Sequence, residues 1–395
     1  MNRTFRKPRV LVCQRGNRRR YAVPKMLEEA GLLAALYTDS SAFSNAGRIA
    51  RHMVKLGINN NKIRALASRK PEGISQEQCF SSDRLLFESI FPKVIKDNLY
   101  PVYKKWGIGN IDILYSMYGE DFQFLEYAKN NGVRIAVDVF CHPETNAILA
   151  EERKKYGYKL DACRSIAAEN DRSKQVFDIA DILLCPSIWV ADGVRKFSPK
   201  NSDKIRIIPY GSSIVRQQSS REPVKGRVLF AGRDPLGKGV HYLAEAAKAL
   251  RVRGYDLDVR LAGLSEKDIS WIEDKTELNC LGNIPVDQMQ KEYSEAELFV
   301  LPSLSEGQAG VLLEALACGC PVVTTKESGV DFGKNAGIIV QVKNSEALAT
   351  AIGKILSNPS LRSDYSRGAL QAAQYFSIDL WRKRLEAVMM ELFEL

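Results

Sequence analysis

Short apolar runs of four to seven residues alternate with helix-like patterns along almost the whole chain. This rhythm most restricts the fold: runs bounded by turn signals read as strands covered on both faces, and strand–helix alternation joins them into parallel sheets. In the first half the runs are Val10–Cys13, Ala34–Tyr37, Ile111–Tyr115, Arg134–Phe140, Asp181–Cys185 and Lys204–Ile208. Helix patterns between them include Val23–Ala30, Phe122–Asn130 and Ser187–Lys196, while Pro92 and Pro101 interrupt residues 83–106 and predict broken helices. A polar stretch, Arg216–Pro223, reads as a linker. The alternation restarts at Arg227–Phe230 and continues through Asp258–Leu261, Leu298–Leu301, Pro321–Thr325 and Gly337–Val340. A chain of 395 residues exceeds one ordinary core, so two similar α/β halves meeting near residues 210–226 are expected. Doubly wound halves place a ligand in the cleft at the carboxyl ends of the strands.

Two strand-to-helix junctions carry chemistry. Ser303–Val323 reads SLSEGQAGVLLEALACGCPVV, with Glu306 and Glu314 eight residues apart and Gly307 and Gly310 between them. Glycines let backbone approach a ligand, helix-start N–H groups favour phosphate, and carboxylates accept from vicinal hydroxyls. A solvated loop Glu and a helix-surface Glu would also explain the pair taken alone. The second junction, Ala231–Gly239, places Arg233 and Lys238 in a glycine-rich turn suited to a diphosphate. Gly232 to Lys238 satisfies GxxxxGK, but Gly239 stands where a triphosphatase needs the hydroxyl that holds magnesium. No GxGxxG nicotinamide or flavin fingerprint occurs, and Asp256-Leu257-Asp258 reads as a turn and strand start instead of a metal site. Of three histidines, His142 follows a strand at the end where a cleft residue would sit.

The net charge of +10 is concentrated at one end, with sixteen Lys/Arg against three acidic residues over 1–70. Arg15, Arg18, Arg19 and Arg20 follow the first strand; Arg48, Arg51, Lys55, Lys62 and Arg64 surround Ile49, Met53 and Leu56 at helical spacing. Such a helix suits an anionic membrane surface, or is an ordinary helix with a solvated basic face. No interleaved aromatic or recognition motif accompanies the charge, so nucleic acid is not expected as a partner. The apolar runs are too short to cross a bilayer, and the first residues lack a signal-peptide core. Eight scattered cysteines without CxxC pairs read as free thiols in a reducing, cytoplasmic setting.

The motifs AGRDPLGKG and EGQAGVLLEALACGCPVV resemble the donor-binding half of retaining, family-4 type glycosyltransferases of the GT-B fold. Ala180–Ser187, Ile205–Gly211, Val259–Gly263, Leu281–Pro285 and Phe376–Trp381 fall in the family's order. The resemblance implies two Rossmann-like domains facing across a cleft: an acceptor-side domain over 1–210, a nucleotide-sugar domain over 211–375, and a closing helix, 376–395, that crosses back. It implies that Arg233 and Lys238 hold the donor diphosphate and that Glu306 touches the donor sugar. Backbone N–H groups of Ala309, Gly310 and Val311 would cradle sugar and phosphate, and Glu314 would bind the ribose hydroxyls. Gly16 would face the diphosphate from the other wall, and His142 would approach the sugar or acceptor. The implied reaction is metal-independent, retaining sugar transfer from a nucleotide-sugar substrate, without cofactor, to a glycan or lipid-linked acceptor. A catalytically inactive sugar-nucleotide-binding regulator on the same fold is the alternative. The chain departs from the family at Gln308 and Ala309, where an aromatic residue and a glycine are usual, and at Ser213, where Asp is common. The first loop also lacks paired glycines, so Arg15 and Arg18 are expected to contact phosphate or an acceptor anion in their place.

Overall fold

The computed structural model describes residues 6–58, 60–84, 99–118, 122–157, 166–214 and 223–395. The first sheet contains β1 (Val10–Cys13), β2 (Leu33–Thr38), β3 (Cys79–Ser81), β4 (Ile113–Met117), β5 (Arg134–Asp138), β6 (Ile182–Cys185) and β7 (Ile205–Ile207), in the order 3-2-1-4-5-6-7. The second contains β8 (Arg227–Ala231), β9 (Asp258–Ala262), β10 (Leu278–Gly282), β11 (Leu298–Leu301), β12 (Val322–Thr325) and β13 (Gly337–Val340), in the order 10-9-8-11-12-13. Every described pairing within these sheets is parallel. Each order reverses beside its first strand, between β1 and β4 and between β8 and β11, the switch point where a doubly wound sheet opens a crevice.

Alternate residues of one strand face opposite sides of a sheet. In the first half, Val10 and Val12 join one core with Ile113, Tyr115 and Ala136, while Leu11 and Cys13 join another with Leu114, Ile135 and Val137. The helix Ile378–Glu394 packs into the first of these cores through Trp381, Leu385, Met389 and Leu392, so the chain's end lies on the N-terminal half. Ser212 N–H donates to Phe376 O at 2.8 Å, where the two strands of chain crossing between the halves lie side by side.

The strands match the alternation read from the sequence, except that β3 and β10 were not expected. Both are edge strands, and Cys79–Ser81 and Leu278–Gly282 lack the continuous apolar run of a doubly covered strand. Most of the stretch expected to hold broken helices, residues 85–98 with Pro92, lies outside the described residues, as does most of the expected linker, 215–222. Pro101 starts the helix Tyr100–Trp106 instead of breaking one. The seven described cysteines are free thiols. Among the described residues, no helix is long and apolar enough to cross a membrane.

Candidate active site

β8 runs into residues 232–239 and then the helix Val240–Val252. Asp234 Oδ1 accepts from Gly237 N–H at 3.0 Å and closes the turn. Gly239 sits at φ +71°, and a Cβ there would lie 2.2 Å from Pro302 O, so only glycine brings this loop against the β11 exit. Gly232 makes room for Lys238: a Cβ would lie 2.1 Å from the lysine Cδ. The Lys238 ammonium crosses the loop and pairs with Glu306 Oε1. Arg233 is exposed at the loop's tip.

β11 leads through residues 302–309 to the helix Gly310–Ala317. Glu306 N–H donates to Glu327 O at 2.8 Å and Ala309 N–H to Ser328 O at 3.0 Å. The Ala309 N–H is therefore committed within the protein, which corrects its expected place in the ligand cradle. Gly310 and Val311 retain the helix-start donors. Ala309 has φ −69°, ψ 106°, a conformation open to any residue, so the family's glycine is not needed there. Gln308 has a role its sequence did not reveal. Its Oε1 accepts from Tyr210 N–H at 2.7 Å and its carbonyl from Arg19 Nη2 at 3.1 Å, joining the two halves. Glu314 is half-buried and accepts from Tyr293 Oη at 3.0 Å. Burial raises its carboxyl pKa above the ordinary range, opposed by Tyr293, Arg20 and Arg19.

The opposite wall is the loop after β1. Gly16, at φ +69°, donates its N–H to Asp39 Oδ1 at 2.9 Å, and so serves the turn. Arg19, Arg20 and Tyr21 follow with φ 46°, 54° and 59°. Three consecutive non-glycine residues in the left-handed region cost about 1–2 kcal/mol each. The turn sets Arg18 over the Phe140 ring and Arg19 over the Tyr210 ring, both 3.8 Å from guanidinium carbon to ring centre. Tyr210 is held in turn by buried Asp138, which accepts from Tyr210 Oη and Tyr115 Oη at 2.6 Å each.

Two cavities of about 330 Å³ open between the walls. One is bordered by Gln14, Arg18, Asp138, Phe140 and Glu306, the other by Arg20, Ser213, Ile284, Gly310 and Glu314; Arg19 borders both. Glu306, Lys238, Gly310 and Glu314 are thus gathered at the switch point. Gly16 and Arg15 border neither cavity, and the wall faces the cleft through Arg18, Arg19 and Arg20. His142 is also not brought to this group. It stands at the β5 end as expected, but it is 5% exposed, stacks on Trp189 at 4.3 Å and accepts from Glu144 N–H through Nδ1. A Cβ on Gly193 would lie 2.3 Å from its ring, so the imidazole is held against the helix Ile188–Phe197. The Asp256–Asp258 pair is taken up by arginines: Asp256 by Arg251, Asp258 by Arg227 and Arg260.

Two facing Rossmann-like halves with this cleft define the GT-B architecture. Residues 225–358 match the family described as "Glycosyl transferases group 1". The chain is 30% identical over 190 residues to a D-inositol 3-phosphate glycosyltransferase of Pseudarthrobacter chlorophenolicus, covering 45% of each chain. It is 30% identical over 193 residues to a putative teichuronic acid biosynthesis glycosyltransferase of Bacillus subtilis, covering 45% of this chain and 48% of that one. These matches span about half the length of the curated relatives. Among solved structures, sucrose-phosphate synthase from Thermosynechococcus elongatus superposes with a TM-score of 0.70 at 17% identity, over 98% of this chain and 100% of that one. An Anabaena protein solved in complex with UDP and glucose gives 0.65 at 13% identity, over 97% and 100%.

Proposed function

We propose that the protein transfers a sugar from a nucleotide-sugar donor to an acceptor hydroxyl, retaining anomeric configuration and without a metal ion. The observation that carries this reading is the Lys238–Glu306 pair at the meeting of two glycine turns, facing Arg19 and Arg20 across the cleft. Glu314 takes the ribose hydroxyls, the Gly310 and Val311 N–H groups take phosphate, and Arg233 folds onto the diphosphate. As the anomeric C–O bond breaks, negative charge grows on the leaving diphosphate, where fixed cations and a helix start stabilise it. The acceptor oxygen bonds to the anomeric carbon on the face the diphosphate leaves, and its proton passes to the departing phosphate oxygen. Four cations around the diphosphate supply the charge that a divalent ion gives other transferases. The names of the relatives favour a polyol or glycan acceptor.

The test is thermal stabilisation by a panel of nucleoside diphosphates and nucleotide sugars, with and without EDTA. One diphosphate class should raise Tm equally in both conditions; a shift abolished by EDTA would remove metal independence, and silence across the panel would sink donor binding. Glu314→Gln should weaken the active diphosphate about 10- to 100-fold, since hydrogen bonds to a charged group contribute about 1.5–3 kcal/mol. The same change should leave the Tm of the free protein equal or higher. A raised carboxyl pKa means the ionised form is penalised on folding. That penalty is absent below the ordinary carboxylate range and complete above the raised value, so glutamine removes it at neutral pH. Wild-type diphosphate affinity should fall as pH drops through that raised value.

We further propose that the acceptor is met at an anionic membrane surface. On the helix Asn45–Lys55 and the turn after it, Ile49 and Leu56 are 62% and 68% exposed, flanked by exposed Arg48 and Lys55. Sedimentation with phosphatidylglycerol vesicles should be salt-sensitive and lost in Ile49→Asn/Leu56→Asn. Equal binding of that double variant would refute it.

A further inference from the structure

We propose that the cavity bordered by Gln14, Arg18 and Phe140 receives an acceptor of one chemical class, an anionic polyol whose hydroxyl meets Gln14 and whose anionic group meets Arg18. The proposal rests on the sugar-transfer reading and narrows its acceptor.

Gln14 carries the first part of the argument. It is fully buried, and its Nε2 donates to Gly16 O at 3.2 Å and Arg18 O at 3.3 Å. Two carbonyl partners fix the amide's orientation, because only the NH₂ end can donate. Its Oε1 has no partner among the described residues, although the residue borders the cavity. A buried unpaired acceptor costs about 1–3 kcal/mol. A ligand hydroxyl in the cavity supplies the missing donor.

Arg18 carries the second part. Its guanidinium carbon stands 3.8 Å from the centre of the Phe140 ring at the cavity's border, and its planar fork of N–H donors is the group suited to grip phosphate or carboxylate. The cations divide between the cavities: Arg20 borders only the one that holds Glu314, Arg18 only this one, and Arg19 both. The two carboxylates here are already engaged. Asp138 is held by two tyrosine hydroxyls and Glu306 by Lys238, so neither opposes an incoming anion unscreened. The left-handed backbone at Arg19, Arg20 and Tyr21 places strain where these cations turn into the cleft, and such strain gathers at functional sites.

The test uses full-length protein saturated with the nucleoside diphosphate that stabilises it, titrated with glucose 6-phosphate, glucuronate and glucose. At least one anionic probe should bind about tenfold or more tighter than glucose, and the stronger of the two arms separates phosphate from carboxylate recognition. Arg18→Gln should abolish that preference while keeping the diphosphate's thermal shift, which also shows that the variant is folded. Arg18→Lys should restore part of it. Equal binding of all three probes by wild type, a preference unchanged in Arg18→Gln, or an equal loss of diphosphate affinity in that variant would each overturn the proposal. A wild-type protein that binds no nucleoside diphosphate would remove the sugar-transfer reading and this proposal with it.

Discussion

Lys238→Met should lower kcat for sugar transfer about 10²- to 10³-fold with a much smaller change in donor KM. The lysine stem is seated by the missing side chain at Gly232, and its ammonium is fixed by Glu306. A fixed cation differs from a solvated one in needing no reorganisation as charge develops on the leaving diphosphate. Removing one such donor costs about 3–4 kcal/mol at the transition state. Methionine keeps the stem's volume over Gly232, so the loop should persist and Tm should move little, because partly exposed ion pairs contribute only about 0–1 kcal/mol. The double variant Lys238→Met/Glu306→Gln separates two origins of the loss. If Lys238 acts on the diphosphate, the double variant stays as slow as the single; if it only neutralises Glu306, activity partly returns. A single variant within threefold of wild-type kcat would sink the assignment.

Which parts of this site could be read from the sequence follows from how local their causes are. β1, β8 and β11 are wholly buried, and their apolar runs showed it; the glycines at 232, 237 and 239 marked a turn for the same reason. β3 and β10 were illegible because Cys79–Ser81 and Leu278–Gly282 lack the continuous apolar run that announces a covered strand. Contacts between distant residues left weaker traces. Lys238 and Glu306 were each singled out, but their pairing spans 68 positions and depends on where Gly232 lets a stem pass. Gln308 read only as a departure from the family, because its partners, Tyr210 and Arg19, come from the other half. The arginine cluster after β1 was visible as charge, whereas the left-handed turn that aims Arg19 and Arg20 has no glycine to announce it. His142 shows the limit in the opposite sense: its strand-end position was right, yet Trp189 and Gly193, about fifty residues away, decide where the ring goes.

The same dependence on contact between the halves makes Gly307→Ala a change that should cost both stability and activity. A Cβ at Gly307 would stand 1.7 Å from Phe140 O and 2.6 Å from Phe140 C. Those atoms are backbone just beyond the end of β5, so no rotamer change relieves the clash. Retreat of the loop is blocked as well, because Ser187 Oγ donates to Gly307 O at 2.6 Å and Gly329 packs against that carbonyl. The halves themselves must shift. A displacement of about 1 Å between reacting groups costs on the order of 10²-fold in rate, and overpacking costs about 1–3 kcal/mol of stability. The nucleoside diphosphate's thermal shift should survive in large part, since Glu314, Tyr293 and Arg233 all belong to the C-terminal half. Gly310, three residues on, supplies the contrast. A Cβ there meets only Arg19 Nη1, at 3.8 Å, and alanine is the better helix former, so Gly310→Ala should fold with at least wild-type Tm. Measuring Tm, kcat and diphosphate binding for both variants decides the matter. Wild-type Tm and kcat in Gly307→Ala would mean that the contact with Phe140 does not set the distance across which the sugar is transferred.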